Sequence, residues 1–249
     1  VFNDILAIEP ENVKAMLYLG ECYSTTEQYK LAVDILWKAL ELEPDEADLY
    51  FILGTNYTKM GSYDEAITAF NNVVRIEPDN YRAHYNLGVI FAVRGWSEEA
   101  MLSLKRALSI QPDYTAALEK LMEFNTNLMA SYPEDITPYL DLGEGLRLAG
   151  NYSEAIPYLE YVLEADPDNS AARYSLGIAY AGLSQYERAT EYLTDLLSDN
   201  VGDYEATLAL AETYAQVGRQ GHPTLLLWGR HDRMIPFETH RRVLDALPG

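Results

Sequence analysis

Residues 49–57 read Leu49-Tyr50-Phe51-Ile52-Leu53-Gly54-Thr55-Asn56-Tyr57, and residues 83–91, Ala83-His84-Tyr85-Asn86-Leu87-Gly88-Val89-Ile90-Phe91, restate their pattern 34 positions later. The Leu-Gly pair at the centre recurs as Leu19-Gly20, Leu53-Gly54 and Leu87-Gly88, then as Leu142-Gly143 and Leu176-Gly177, with the same spacing of 34 inside each series. With the Leu taken as position 7 of a unit, position 11 holds Tyr23, Tyr57, Phe91, Leu146 and Tyr180, and position 20 holds Ala32, Ala66, Ala100, Ala155 and Ala189. Position 24 holds Leu36, Phe70, Leu104, Leu159 and Leu193; position 32 is Pro44, Pro78, Pro112 and Pro167, with Val201 departing. A fixed period of this length marks an array of structural repeats.

The spacing predicts two antiparallel helices per unit, because positions 4, 7, 8 and 11 share one face of a first helix and positions 20, 24 and 27 one face of a second. Gly at position 8 and Ala at position 20 allow close approach of the two backbones, and the larger residues at 11 and 24 are expected to fill the space between successive units. Proline at position 32 stops the second helix, and the acid or Asn after it, as in Asp79-Asn80 and Asp168-Asn169, is placed to cap the next one.

On these residues the chain resembles the tetratricopeptide repeat family over residues 1–219. The resemblance implies an all-α fold, an α-solenoid of antiparallel helix pairs wound into a superhelix. Residues 1–10, Val-Phe-Asn-Asp-Ile-Leu-Ala-Ile-Glu-Pro, parallel residues 69–78 and read as the end of a second helix whose partner precedes the chain.

Full units span 13–46, 47–80 and 81–114, but the next boundary, Pro133-Glu134-Asp135, arrives early, so residues 115–130 are expected to form a single unpaired helix. Units resume at 136–169 and 170–203, followed by a half unit from Tyr204 to Arg219. Three segments result: a first stack with its unpaired helix over 1–130, a second stack over 131–219, and a non-repeat tail over 220–249. In the tail, Thr224 to Gly229 reads as a short strand, Arg230 to Arg233 as a loop and Pro236 to Leu247 as an amphipathic helix. This tail resembles the acid-loop segment of the α/β-hydrolase family, whose resemblance assigns Asp232 the part of the residue that orients a catalytic histidine. The sequence has no Gly-x-Ser-x-Gly elbow and stops before the segment that carries the family's histidine, so Asp232 has no partner here. The tail reads as a fusion or junction rather than a natural continuation.

Function is therefore expected to be non-catalytic: a protein–protein interaction scaffold holding a peptide or partner segment along the first helices. The alternative is a fragment of a hydrolase, incomplete in this chain. The resemblance places positions 2, 5, 9 and 12 of the first helices, with Asn86 at position 6, on a concave groove. The candidates are Lys14, Leu17 and Glu21; Phe51 and Thr55; Arg82, Tyr85, Asn86 and Val89; Leu140, Glu144 and Arg147; Tyr174 and Ile178. Position 5 is apolar or aromatic in every unit, which suits spaced peptide anchors and equally suits padding between neighbouring first helices. The family's clamp for acidic C-termini is not reproduced, since Phe51, Thr55, Asn86, Ala116 and Lys120 retain only Asn86 and Lys120.

Charge and composition narrow the partners. With 18 Lys plus Arg against 39 Asp plus Glu, the net charge is -21, which repels nucleic acid and anionic lipid and favours a neutral or basic protein or peptide. Acids clustered at helix starts account for the same charge through the helix dipole. Cys22, the single cysteine, excludes an internal disulfide and is expected to be a small core residue. No apolar run is long enough to span a bilayer and no charged-then-apolar leader precedes the first repeat; the location stays open, with the cytoplasm favoured. No cofactor or metal site is expected: His84 lies at a helix-packing position, and His222 and His231 lack a third ligand.

Overall fold

A computed structural model describes residues 1–199 and 204–219; the tail reading, Asp232, His222 and His231 with it, lies outside the described residues. Among the described residues the chain forms thirteen α-helices and no strand. They are α1 (Phe2–Ile8), α2 (Val13–Thr25), α3 (Tyr29–Leu42), α4 (Ala47–Met60), α5 (Tyr63–Ile76), α6 (Tyr81–Arg94), α7 (Ser97–Ile110), α8 (Thr115–Ser131), α9 (Thr137–Leu148), α10 (Tyr152–Ala165), α11 (Ser170–Gly182), α12 (Tyr186–Asp199) and α13 (Tyr204–Arg219). Five helical hairpins follow from the five repeats, and α8 stands as a single helix between the third and the fourth. Two compact units, Val1–Lys120 and Leu121–Gly249, divide the chain inside α8.

Inside each hairpin the position-24 side chain lies over the position-8 glycine of its own unit. A Cβ on Gly54 would stand 2.8 Å from the Phe70 ring, one on Gly20 2.7 Å from Leu36, and one on Gly177 2.6 Å from Leu193. Position 24 thus fills a hollow within its own hairpin as well as meeting the next unit, where Phe70 packs with Ala83, Leu87 and Ile90. The alanines at position 20 are fully buried in all five units, as are Leu36, Phe70, Leu104, Leu159 and Leu193. A larger residue at position 20 would push the second helix outward and open a void under position 24.

Three of the turns that lead into first helices share one device, whereas α4 and α9 start without a side-chain cap. The side chains of Asn12, Asn80 and Asn169 accept a hydrogen bond from the backbone N–H of Ala15, Ala83 and Ala172, at 2.9, 3.0 and 3.0 Å. Each Asn also donates from Nδ2 to an acid three residues earlier, Glu9, Glu77 or Asp166. Part of the acidic charge is therefore structural, holding the cap in place at every helix start it serves.

The turn inside each hairpin has its own requirement. Position 15 is left-handed in all five units: Gly61, Gly95 and Gly150 at φ 75°, 74° and 78°, but also Glu27 at 59° and Ser184 at 60°. A side chain in this region costs roughly 1–2 kcal/mol, partly offset by the greater unfolded-state freedom of glycine. Glu27→Gly and Ser184→Gly are each expected to stabilise the chain by about 0.5–1 kcal/mol, read as a higher denaturation midpoint; a lower midpoint for both would contradict the strain argument.

Cys22 corrects a sequence expectation, for it is exposed. It stands at position 10, where Asn56, Ile90, Gly145 and Ala179 are buried. The neighbour explains the difference: position 10 faces the preceding first helix. Asn56 donates to Ser24 Oγ of α2 at 2.7 Å, and a Cβ on Gly145 would meet Leu121 of α8 at 2.8 Å. Among the described residues no first helix packs against α2 on that side, and Cys22 is exposed. Residue 145 shows that α8 takes the place of a preceding first helix for α9, although α8 has no second helix of its own.

Candidate partner-binding face

Neighbouring first helices touch one another, α2 with α4, α9 with α11 and α11 with α13, so their position-5 side chains form a row within each compact unit. Leu17, Phe51, Tyr85, Leu140 and Tyr174 are all half-buried. Leu17 packs beside the buried Leu49 and Leu53, Phe51 meets Phe70 edge-on with centroids 5.6 Å apart, and Tyr174 and Ile178 pack against Leu193, Ala209 and Leu210. These residues pad the helix contacts with one edge and keep the other toward the outside.

Two arginines roof part of the row. The Arg82 guanidinium stands 4.8 Å from the Phe51 ring centroid, and that of Arg147 5.7 Å from the Tyr174 ring. Tyr85 meets Tyr114 at 5.2 Å and 83°, and Tyr81 meets the same ring at 4.9 Å and 72°. Burial, with the Tyr85 phenol next, raises the Tyr114 pKa above its ordinary value. Lys14, Glu21 and Arg82 are exposed, whereas Thr55, Asn86, Val89, Glu144, Arg147 and Ile178 are half-buried. Thr55 and Asn86 donate to the carbonyls of Phe51 and Arg82 on their own helices, at 3.0 and 2.7 Å. Thr55 and Asn86 are thus turned back on α4 and α6.

The row carries little of the chain's charge. Positions 2, 5, 9 and 12 hold the cations Lys14, Arg82 and Arg147 against the acids Glu21, Asp48, Glu144, Glu205 and Glu212, in a protein whose net charge is -21. Most of the acids lie instead on the second helices and in the loops between units, where Arg75 pairs with Asp45 at 3.0 Å and Arg106 with Asp79 at 3.1 Å.

A second set of contacts, not foreseen from the repeat, joins second helices to the following first helix. The Trp37 indole N–H donates to Tyr57 OH at 2.9 Å, and Tyr180 OH donates to Glu160 at 2.7 Å, so positions 25 and 11 of successive units are linked twice. Tyr180 is nearly inaccessible, stacks on Tyr192 and receives a hydrogen bond from Arg188 at 3.3 Å. Burial first, and then the bond to the Glu160 carboxylate, push its pKa up to about 12, and the Arg188 bond lowers it only in part. The recurrent spacing of 20 residues between Trp37 and Tyr57, and between Glu160 and Tyr180, is the sequence signal for this link. His84 is half-buried with its Nε2 2.9 Å from the Pro78 carbonyl oxygen, which ties α6 to the turn before it. Among the described residues no group of three or more His, Cys, Asp or Glu is arranged for a metal ion, and no helix is long and apolar enough to cross a membrane.

The tetratricopeptide repeat families match residues 146–210 and 81–114, and the TPR repeat family matches residues 54–95, so tetratricopeptide repeats are recognised over much of the chain. The family of anaphase-promoting complex, cyclosome, subunit 3 matches residues 1–73. BBSome complex member BBS4 of Bos taurus is 29% identical over 96 residues, a match covering 39% of this chain and only 18% of that protein's length. Among solved structures, YrrB, a TPR protein with an unusual peptide-binding site, is 24% identical with a TM-score of 0.43, covering 84% of this chain and 97% of its own. MamA is 21% identical with a TM-score of 0.42, covering 79% of this chain and 97% of its own.

Proposed function

We propose that this chain is a non-catalytic scaffold that holds an extended or helical segment of a partner protein against its first helices. The observation that carries the reading is the row itself: half-buried apolar and aromatic side chains recur at position 5 while nearly all of the chain's acidic charge lies elsewhere. A segment with spaced apolar anchors gains contact area on such a row, and burying each 100 Å² of apolar surface contributes on the order of 2.5 kcal/mol before entropy. The surrounding acids favour a segment that is neutral or basic in sum.

Tyr85 and Leu140 are the positions to test, because Phe51 and Tyr174 carry more of the internal packing. In a peptide-array capture with the full chain, Tyr85→Ala and Leu140→Ala are expected to weaken binding by about tenfold each with helical circular dichroism unchanged. Binding that survives both changes, or that falls only with helicity, would return these residues to a purely structural part.

A further inference from the structure

Position 12 of the first helix is small in every other aligned unit, Ser24, Thr58, Ala92, Ala181 and Ala215, and is an arginine only at Arg147. The small residues fit a narrow seam between neighbouring first helices: Ser24 and Thr58 turn their hydroxyls onto the carbonyls of Gly20 and Gly54 at 2.8 Å each. Arg147 instead reaches from α9 to α11 and lays its guanidinium over Tyr174, 5.7 Å from the ring centroid. Its Nε is buried and has no hydrogen-bond partner. Among the described residues no ion pair of Arg147 is found, although acids outnumber bases by 39 to 18 in the chain. A buried charged donor left unmatched destabilises the free protein, and a planar fork held on an aromatic face is the geometry that receives a carboxylate by two parallel bonds.

Resting on the binding reading above, we propose that Arg147, braced by Tyr174, recognises a carboxylate of the bound segment, either an Asp or Glu side chain or a free C-terminus. Arg82 is the internal comparison, since it also stacks on a ring, Phe51, but is itself exposed to water. The segment remains neutral or basic elsewhere and carries its one anionic group at this point of the second unit.

The test uses three pools of fluorescent decapeptides with neutral randomised positions, titrated against the full chain by anisotropy. One pool has a fixed central Glu and an amidated C-terminus, one a fixed Gln and an amidated C-terminus, and one a fixed Gln and a free C-terminal carboxylate. A carboxylate pool is expected to bind about tenfold more tightly than the amidated Gln pool, and the pool that gains identifies the source of the group. Arg147→Ala, which places the residue of three other units in the seam, should abolish the difference while melting no lower than the parent; Arg106→Ala, on a second helix outside the row, should leave it intact. Arg147→Lys, which keeps the charge without the fork, should retain only part of it. Equal binding of all three pools, or a preference that persists in Arg147→Ala or stays whole in Arg147→Lys, overturns the assignment and leaves the binding reading standing. No binding by any pool overturns both.

Discussion

Replacing Phe70 by alanine is expected to destabilise the chain by about 3–5 kcal/mol, the largest effect of any single change proposed for this protein. The ring is fully buried, occupies the hollow over Gly54, meets Phe51 edge-on at 5.6 Å and packs against Ala83 and Leu87 of the next repeat. Truncation removes contacts on two sides of the seam at once, and the glycine cannot fill the void because it has no side chain to move. In a solenoid each repeat meets only its neighbours, so the loss should be concentrated near α4, α5 and α6. Hydrogen exchange resolved by residue is the decisive measurement: faster opening in 47–94 with 136–182 unchanged is the expected result. A uniform loss of protection along the whole chain would show instead that the array unfolds as one cooperative body.

Filling the same hollow from the other side should also destabilise. Gly54→Leu and Gly88→Leu are each expected to cost about 1–3 kcal/mol, since an added Cβ would already stand 2.8 Å from Phe70 or Leu104, and at Gly88 also 3.2 Å from the Ala100 carbonyl oxygen. A helical glycine replaced by a better helix former gains roughly 0.8–1 kcal/mol in propensity, so the observed change is the overpacking cost less that gain. The two can be separated by a double-mutant cycle. Gly54→Ala alone should destabilise, and Phe70→Leu in the same chain should recover part of the loss, with a coupling of about 0.5–3 kcal/mol. Strict additivity of the two changes, or a Gly54→Leu protein that melts with the parent, would remove the close-approach account of position 8.

Much of this architecture is legible in the amino-acid sequence. A side-chain pattern that repeats every 34 residues can be buried only by stacking equal units, and the Leu-Gly, Ala and Pro positions carry the helix faces and breaks within each unit. The early proline at residue 133, followed by Glu134 and Asp135 as in the breaks between other units, likewise announces the end of the single helix 115–131, whereas Pro157 lies inside α10 without ending it. The candidate face is legible only as a set of positions. Whether Phe51 or Tyr174 faces outward or pads its neighbour depends on how far apart adjacent first helices lie, and spacing along one helix holds no information about the distance to the next.

Cys22 is the plainest case. Its repeat position is a buried one in four other units, yet burial at that position comes from a neighbouring first helix, and among the described residues α2 has none on that side. The same dependence on neighbours conceals the stacked Arg147 and leaves only the spacing of 20 residues as a sign of the Tyr180 and Glu160 bond, for each joins residues of different repeats through space. Sequence alone determined what is local or periodic here, helix faces, breaks and the repeat, because those follow from backbone geometry within one unit. Tertiary structure alone decided exposure at position 10, the partners of buried polar groups, and which aromatic ring each arginine covers, because those depend on which atoms the packing of successive units brings together.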